Sequence, residues 1–222
     1  MDPATIVIIA ALIIGLIYGA VGLLSGFCMM SGLRGWWAEG DGRLARTYAL
    51  AMGVAIAASQ LLAAAGLVDL GKSIYLQPSF SAPVMFLGGL LFGYGMVLSN
   101  GCGSRALVLL GRGNLRSFVV VIVLGIFAEM TLKGLIAPVR IAMVQASQAT
   151  VAASSVPALL ASIGLGAVPA RMVAASALSA VLIIFAFSHA PFRKSFGQIA
   201  AGLIVGLLVA GGLVRDRLSR RR

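Results

Sequence analysis

The only two cysteines of this 222-residue chain stand at matched places in it. Gly15-Leu16-Ile17-Tyr18-Gly19 aligns with Gly89-Leu90-Leu91-Phe92-Gly93 at an offset of 74, and in that register Ser25 meets Ser99 and Cys28 meets Cys102. Seven of 21 aligned positions are identical. Low-complexity apolar sequence would not readily place both cysteines at equivalent points. Two thiols admit several chemistries. Burial as small apolar side chains is common for cysteine. A disulfide needs closely set Cα atoms, which spacing does not test. A disulfide oxidoreductase would carry Cys-x-x-Cys, which is absent. Two cysteines and one histidine without ligand spacing make a poor metal site, so neither metal nor cofactor is expected. A last chemistry is a soft contact for a sulfur-bearing substrate. A thiol offers a weak hydrogen bond to sulfur, while backbone N–H groups and helix N-termini attract an anionic end.

The residues around Cys102 support a substrate pathway. In Ser99-Asn100-Gly101-Cys102-Gly103-Ser104-Arg105, glycines on both sides of the cysteine argue against a continuous helix. Two half-helices meeting at a break are expected. Backbone left unpaired at membrane depth is tolerated only where protein covers it or a wet cavity meets it. The candidate pathway residues are Cys28, Cys102, Ser25, Ser99, Asn100, Gly101, Gly103, Ser104 and Arg105. Asn100 and Ser104 would satisfy broken backbone or touch an anion; Arg105 would hold an anion or pair with carbonyls of the break. Glu129 and Lys133, four apart, form a candidate intramembrane pair, functional or simply self-neutralising.

The elements that must position these groups follow from composition. Hydrophobic residues make up 60% and charged residues 10%. With glycine counted in and tyrosine out, the apolar share is roughly 71%, against about 45–50% in an ordinary soluble domain. A soluble globule and a disordered chain are excluded. Long solid apolar runs also argue against a membrane barrel. The expected fold is all-α: a polytopic helical membrane protein with an internal repeat and re-entrant or broken helices. It is expected as one transmembrane domain over 1–222, with repeat 1 at about 4–68 and repeat 2 at about 84–136. C-terminal helices at about 158–214 and a basic tail at 215–222 follow.

In more detail, apolar segments run from Ala4 to Gly26, Thr47 to Val68, Val84 to Ser99 and Phe118 to Ile136. Further helices run from Met172 to Ser188 and Phe196 to Val214. The first is too long, and too poor in basic residues before it, for a cleaved signal. Arg34 to Arg46 and Asp69 to Pro83 are expected as loops, and Ala137 to Pro169 as a weak stretch with a short apolar piece at Ala158 to Val168. Repeats in transporters put the substrate site on discontinuous helices near the midplane. A third start of the pattern, Gly202 to Gly206, reads as small-residue helix packing. The net charge is +11. The positive residues sit between apolar runs and at the end, where they read as cytoplasmic flanks, or as a surface for membrane lipid, rather than as a nucleic-acid site. The arginine tail and the Arg34 to Arg46 loop are then cytoplasmic and the N-terminus outside. The crossings are odd in number: five if both irregular stretches re-enter, seven if both cross. Trp36 and Trp37 read as interfacial anchors, and His189 as an interfacial residue beside Pro191.

The run Gly88-Gly89-Leu90-Leu91-Phe92-Gly93-Tyr94-Gly95-Met96-Val97-Leu98-Ser99-Asn100-Gly101-Cys102-Gly103-Ser104, with Leu110-Gly111-Arg112-Gly113-Asn114-Leu115-Arg116-Ser117 after it, closely resembles the signature of the YeeE/YedE family of sulfur-transport membrane proteins. Gly26-Phe27-Cys28, with Leu33-Arg34 following, is similar to that family's first cysteine motif. The resemblance implies a bacterial inner-membrane permease for a small inorganic sulfur-containing anion such as thiosulfate. It implies a pore lined by cysteines on re-entrant helices, Cys28 and Cys102 among them, that hand the substrate sulfur from thiol to thiol. Longer members carry a further cysteine in a second half, so a second copy or a partner subunit is expected to complete the pore. The alternative is a non-transporting assembly subunit or a half-transporter needing a partner. An intramembrane protease would need a serine within reach of histidine. Ser104 and His189 could be cast so, but no motif supports it, and no enzyme is expected.

Overall fold

The computed structural model describes residues 3–66, 81–147 and 167–220. Among them are ten helices and no strand. Five segments are long and apolar enough to cross a membrane: Val7–Ala38, Arg43–Ala64, Ala82–Gly111, Leu115–Leu132 and Phe196–Leu213. Two of the five, Val7–Ala38 and Ala82–Gly111, contain a cysteine, and each is interrupted there. The fold is that of an all-α, multi-pass membrane protein.

The chain divides into two compact units, residues 1–73 with 156–222, and residues 74–155. The first contains α1 (Pro3–Ser25), α2 (Met29–Ala38), α3 (Arg43–Ala64), α8 (Ala167–Phe187), α9 (Ala190–Arg193) and α10 (Phe196–Arg220). Helix α3 is its centre and packs on α2, α8 and α10; α1 lies on α10. Between lipid-soluble helices there is no hydrophobic driving force, so close backbone approach and buried hydrogen bonds must hold them. Both are present. A Cβ on Gly206 of α10 would lie 2.7 Å from Val54 Cβ and 2.8 Å from the Ala51 carbonyl oxygen, and one on Gly202 would lie 3.0 Å from the Thr47 carbonyl oxygen. The Gly202 to Gly206 spacing is thus a packing seam. On the other side of α3, buried Ser179 of α8 donates to the Gly53 carbonyl at 2.9 Å.

The second unit contains α4 (Ala82–Leu98), α5 (Gly103–Gly111), α6 (Leu115–Leu132) and α7 (Ala137–Ala146). Helix α5 packs on α6 and α6 on α7, while the Ser81 and Ser147 hydroxyls meet at 2.6 Å.

Four expected assignments change. Arg34 to Arg46 is not a loop throughout: α2 runs to Ala38 and α3 begins at Arg43. Within α2, a Cβ on Gly32 would lie 2.9 Å from the Ala45 nitrogen, so Gly32 is a close-packing position against α3. The fourth long helix spans Leu115–Leu132 rather than Phe118 to Ile136, and Ala137–Ala146 of the weak stretch is helical. The turn between them uses Gly134, whose Cβ would fall 2.7 Å from Met130 Cα. The last helix, expected to end at Val214, continues to Arg220. Residues 69–80 of the second expected loop and 158–166 of the short apolar piece lie outside the described residues.

Candidate functional site

Both cysteines occupy the same local position. Helix α1 ends at Ser25 and α4 at Leu98; Cys28 is the N-cap of α2 and Cys102 the N-cap of α5. Two residues before each cysteine the chain turns through the left-handed region, at Gly26 (φ 65°) and Asn100 (φ 55°). Those positions are also related by the repeat offset. Glycine reaches this conformation without a Cβ penalty, and asparagine is among the few other residues that visit it routinely. Each cysteine carbonyl accepts the first bond of its half-helix, from Gly32 N–H at 3.0 Å and Ala106 N–H at 3.1 Å. Ser25 and Ser99 hydroxyls donate back to Val21 and Gly95 carbonyls at 2.6 and 2.8 Å.

The second break is closed by its own backbone. Gly101 N–H reaches the Met96 carbonyl at 3.0 Å and Asn100 N–H the Val97 carbonyl at 3.2 Å. These are the paired bonds that finish a helix around a left-handed residue. The same device ends α5: Gly113 (φ 79°) N–H bonds to Leu110, and Asn114 N–H to Leu109. Asn114 then caps α6, its side-chain oxygen accepting from Arg116 and Ser117 N–H at 3.0 and 3.4 Å. The signature Gly113-Asn114-Leu115-Arg116-Ser117 is therefore a helix stop followed at once by a helix start. It folds α6 back beside α5.

That reversal borders an open-sided cavity of about 140 Å³ against the break, several times the roughly 10–15 Å³ needed to hold a water. Of the candidate residues, Ser99, Asn100, Gly101, Cys102 and Arg105 line it. Ser104 contacts Cys102, Oγ to Sγ at 3.0 Å. Gly103 instead faces α6, where a Cβ would lie 3.2 Å from Leu124 Cδ1. Arg105 lies over the break, its Cδ 3.0 Å from where a Cβ on Gly101 would be. Sequence reasoning missed three polar lining residues, Asn114, Arg116 and Ser117. Their signal was present in the second half of the signature. Among the described residues the lining carries two guanidinium groups and no carboxylate. The first turn of α5 has no side-chain cap, so its N–H groups add positive partial charge beside Cys102. The arrangement suits an anion with one soft atom.

In the other unit Cys28 is 3% exposed. Its neighbour Phe27 is buried and stacks on Tyr48 of α3, with ring centroids 5.1 Å apart. Ser25 lies at the end of α1, where its carbonyl accepts from Gln198 of α10. The loop between α2 and α3 is clamped by a two-pronged Arg43–Asp41 pair at 2.7 Å, which holds the Asp41 carboxyl below its usual range. Arg46 lies between the Trp36 and Phe185 rings, at 5.7 and 5.1 Å, while Trp37 is almost wholly exposed. His189 is the N-cap residue of the short helix Ala190–Arg193.

Glu129 in the last turn of α6 and Lys133, the residue that caps its C-terminus, form an ion pair at 3.8 Å on an exposed, otherwise apolar surface. A lone charge there is costly in lipid and a neutral pair less so. Either Glu129→Ala or Lys133→Ala is expected to reduce the amount of inserted protein, and the double substitution to restore it. Quantitative immunoblotting of membranes checks this, and additive losses would mean separate roles.

A family model described as sulphur transport matches residues 24–221. That span takes in both cysteine breaks. No curated protein matches the chain.

Proposed function

The chain belongs to the sulphur transport family, YeeE/YedE, and from that premise we propose that it is a permease for thiosulfate or a closely related sulfur-containing anion. Cys102 is the thiol that meets the substrate, and Cys28 has the same task at the equivalent break. One observation carries this reading: a cavity at a broken helix joins one thiol to two guanidinium groups, with no carboxylate in its lining among the described residues. Thiosulfate is a dianion with a hard oxygen end and a soft terminal sulfur. The guanidinium groups and α5 N–H groups attract the oxygen end. The Cys102 thiol offers the sulfur a weak donor without a formal charge that would trap it. Transport, and not catalysis, is the activity proposed. The N-terminus lies outside and the arginine-rich C-terminus inside the inner membrane, following the positive-inside bias. A second copy or a partner subunit contributes to the pore.

Uptake of sulfur-35-labelled thiosulfate into cells lacking other sulfur importers tests the reading. Expression of the chain is expected to confer uptake that unlabelled thiosulfate competes away and chloride does not. Correctly inserted protein that confers no uptake, alone or with its genomic neighbours, would point to an assembly subunit instead.

A further inference from the structure

The two breaks have the same backbone path but different support. At the second, Ser99 Oγ lies 2.8 Å from the Gly95 oxygen and 2.7 Å from the Gly101 oxygen, so the break is braced by its own residues. At the first, Ser25 Oγ reaches back to Val21, and a residue 173 positions away supports the Ser25 carbonyl. That residue is Gln198. Its Nε2 donates to the Ser25 carbonyl at 3.3 Å, and its Oε1 accepts from the Thr47 hydroxyl at 2.9 Å. Thr47 is fully buried and its hydroxyl also lies 2.9 Å from the Arg43 carbonyl. One amide thus ties the last residue of α1 to buried Thr47, near the start of α3.

The placement of Gln198 follows from the seam described above. Gln198, Gly202 and Gly206 are spaced at four-residue intervals on α10 and share one face. The two glycines bring that face into backbone contact with α3, which sets the amide between α3 and α1. Phe27 stands two residues after Ser25 and packs in one cluster with Ala51, Val205, Tyr18, Val21 and Tyr48. The pinned carbonyl and the anchored ring fix the chain on both sides of Gly26. Being glycine in the left-handed region, Gly26 has no side chain of its own to hold the turn.

We infer that Gln198 is a positioning residue for Cys28: it holds the first break in the geometry that keeps this thiol buried and aimed. Its consequence for transport rests on the reading of Cys28 as a pathway thiol; its consequence for the thiol itself does not. The test uses the full chain in membranes with Cys102→Ser, which leaves Cys28 as the sole cysteine. The readout is its rate of reaction with a small methanethiosulfonate. Gln198→Met keeps the volume and removes both hydrogen bonds. It is expected to speed labelling about tenfold, the effect on a local opening of losing roughly one net hydrogen bond. Gln198→Glu keeps the acceptor for Thr47 and, if ionised, lacks the donor to Ser25; an intermediate rate is expected. This second variant serves if the first does not insert. A reporter controls for general loosening: Ala186→Cys in a chain with Cys28→Ser and Cys102→Ser, at a fully buried site between α8 and its neighbours. Its labelling should not change with Gln198→Met. Unchanged Cys28 labelling in both variants, or an equal rise at both sites, overturns the inference. Faster Cys28 labelling with normal thiosulfate uptake in a chain retaining Cys102 would keep the inference and remove Cys28 from the transport pathway.

Discussion

Cys102→Ala is expected to abolish thiosulfate uptake while leaving nearly normal amounts of protein in the membrane. The two halves of that expectation rest on different observations. Function is lost because Cys102 is the only sulfur in the lining of the cavity among the described residues. Folding is spared because the Cys102 side chain makes no cap bond to the first turn of α5, so alanine removes no capping energy. Alanine also gives up the 3.0 Å contact of the Cys102 thiol with the Ser104 hydroxyl. Cys102→Ser separates hydrogen bonding from softness. Serine is one of the best N-cap residues, so this variant should insert as well as the parent or better. It keeps a donor and loses the polarizable sulfur. Uptake below about a tenth of the parent in a well-inserted Cys102→Ser protein would identify softness as the requirement. Full uptake in Cys102→Ala would remove the thiol from the mechanism altogether.

The breaks were legible because they depend on local chemistry. Glycines on either side of Cys102 signal a stop, and Asn100 is one of the few residues that accepts the left-handed turn. The repeat carried that reading to Gly26 and Cys28. Long apolar runs gave the long helices for a similar reason: each helix satisfies its own backbone. Lateral packing was much less legible. In a soluble helix the buried face is apolar and the other polar, so periodicity reports it. In α10 the lipid face and the protein face are both apolar, and Leu203 and Val205 look alike in sequence although only Val205 is buried. The end of α2 was missed for a related reason: Arg34 to Ala38 carries a charge and two tryptophans that suit a loop as well as a helix, and its packing on α3 through Gly32 has no periodic signal. Arg116 was visible as a charge and as part of a signature. Its place beside Cys102 depends on the reversal at Gly113 and on the cap at Asn114, which only the folded chain combines. Gln198 had no local signal at all.

The seam between α10 and α3 leads to the second large effect. Gly206→Ala is expected to destabilise the protein strongly, although alanine is the better helix former by about 1 kcal/mol. The new methyl would meet Val54 Cβ at 2.7 Å and the Ala51 carbonyl oxygen at 2.8 Å. Backbone cannot yield as a flexible side-chain tip can, so α10 must move. Overpacking of this kind costs about 1–3 kcal/mol, which outweighs the gain in propensity. Gly211→Ala in the same helix is the control, because among the described residues nothing lies within 4 Å of the added carbon. It should be neutral or mildly stabilising. Thermal unfolding in detergent, followed by size-exclusion chromatography, should show Gly206→Ala lowered by roughly 5 °C or more and Gly211→Ala unchanged or raised. The same displacement should reach the first break. Gln198 is eight residues before Gly206 on the shared face, so α10 moving off α3 withdraws the amide from Ser25 and Thr47. Cys28 in Gly206→Ala should then label faster at temperatures well below unfolding, as in Gln198→Met. Equal stability of the two alanine variants would mean that the seam can relax, and that close backbone contact is not what holds α10 to α3.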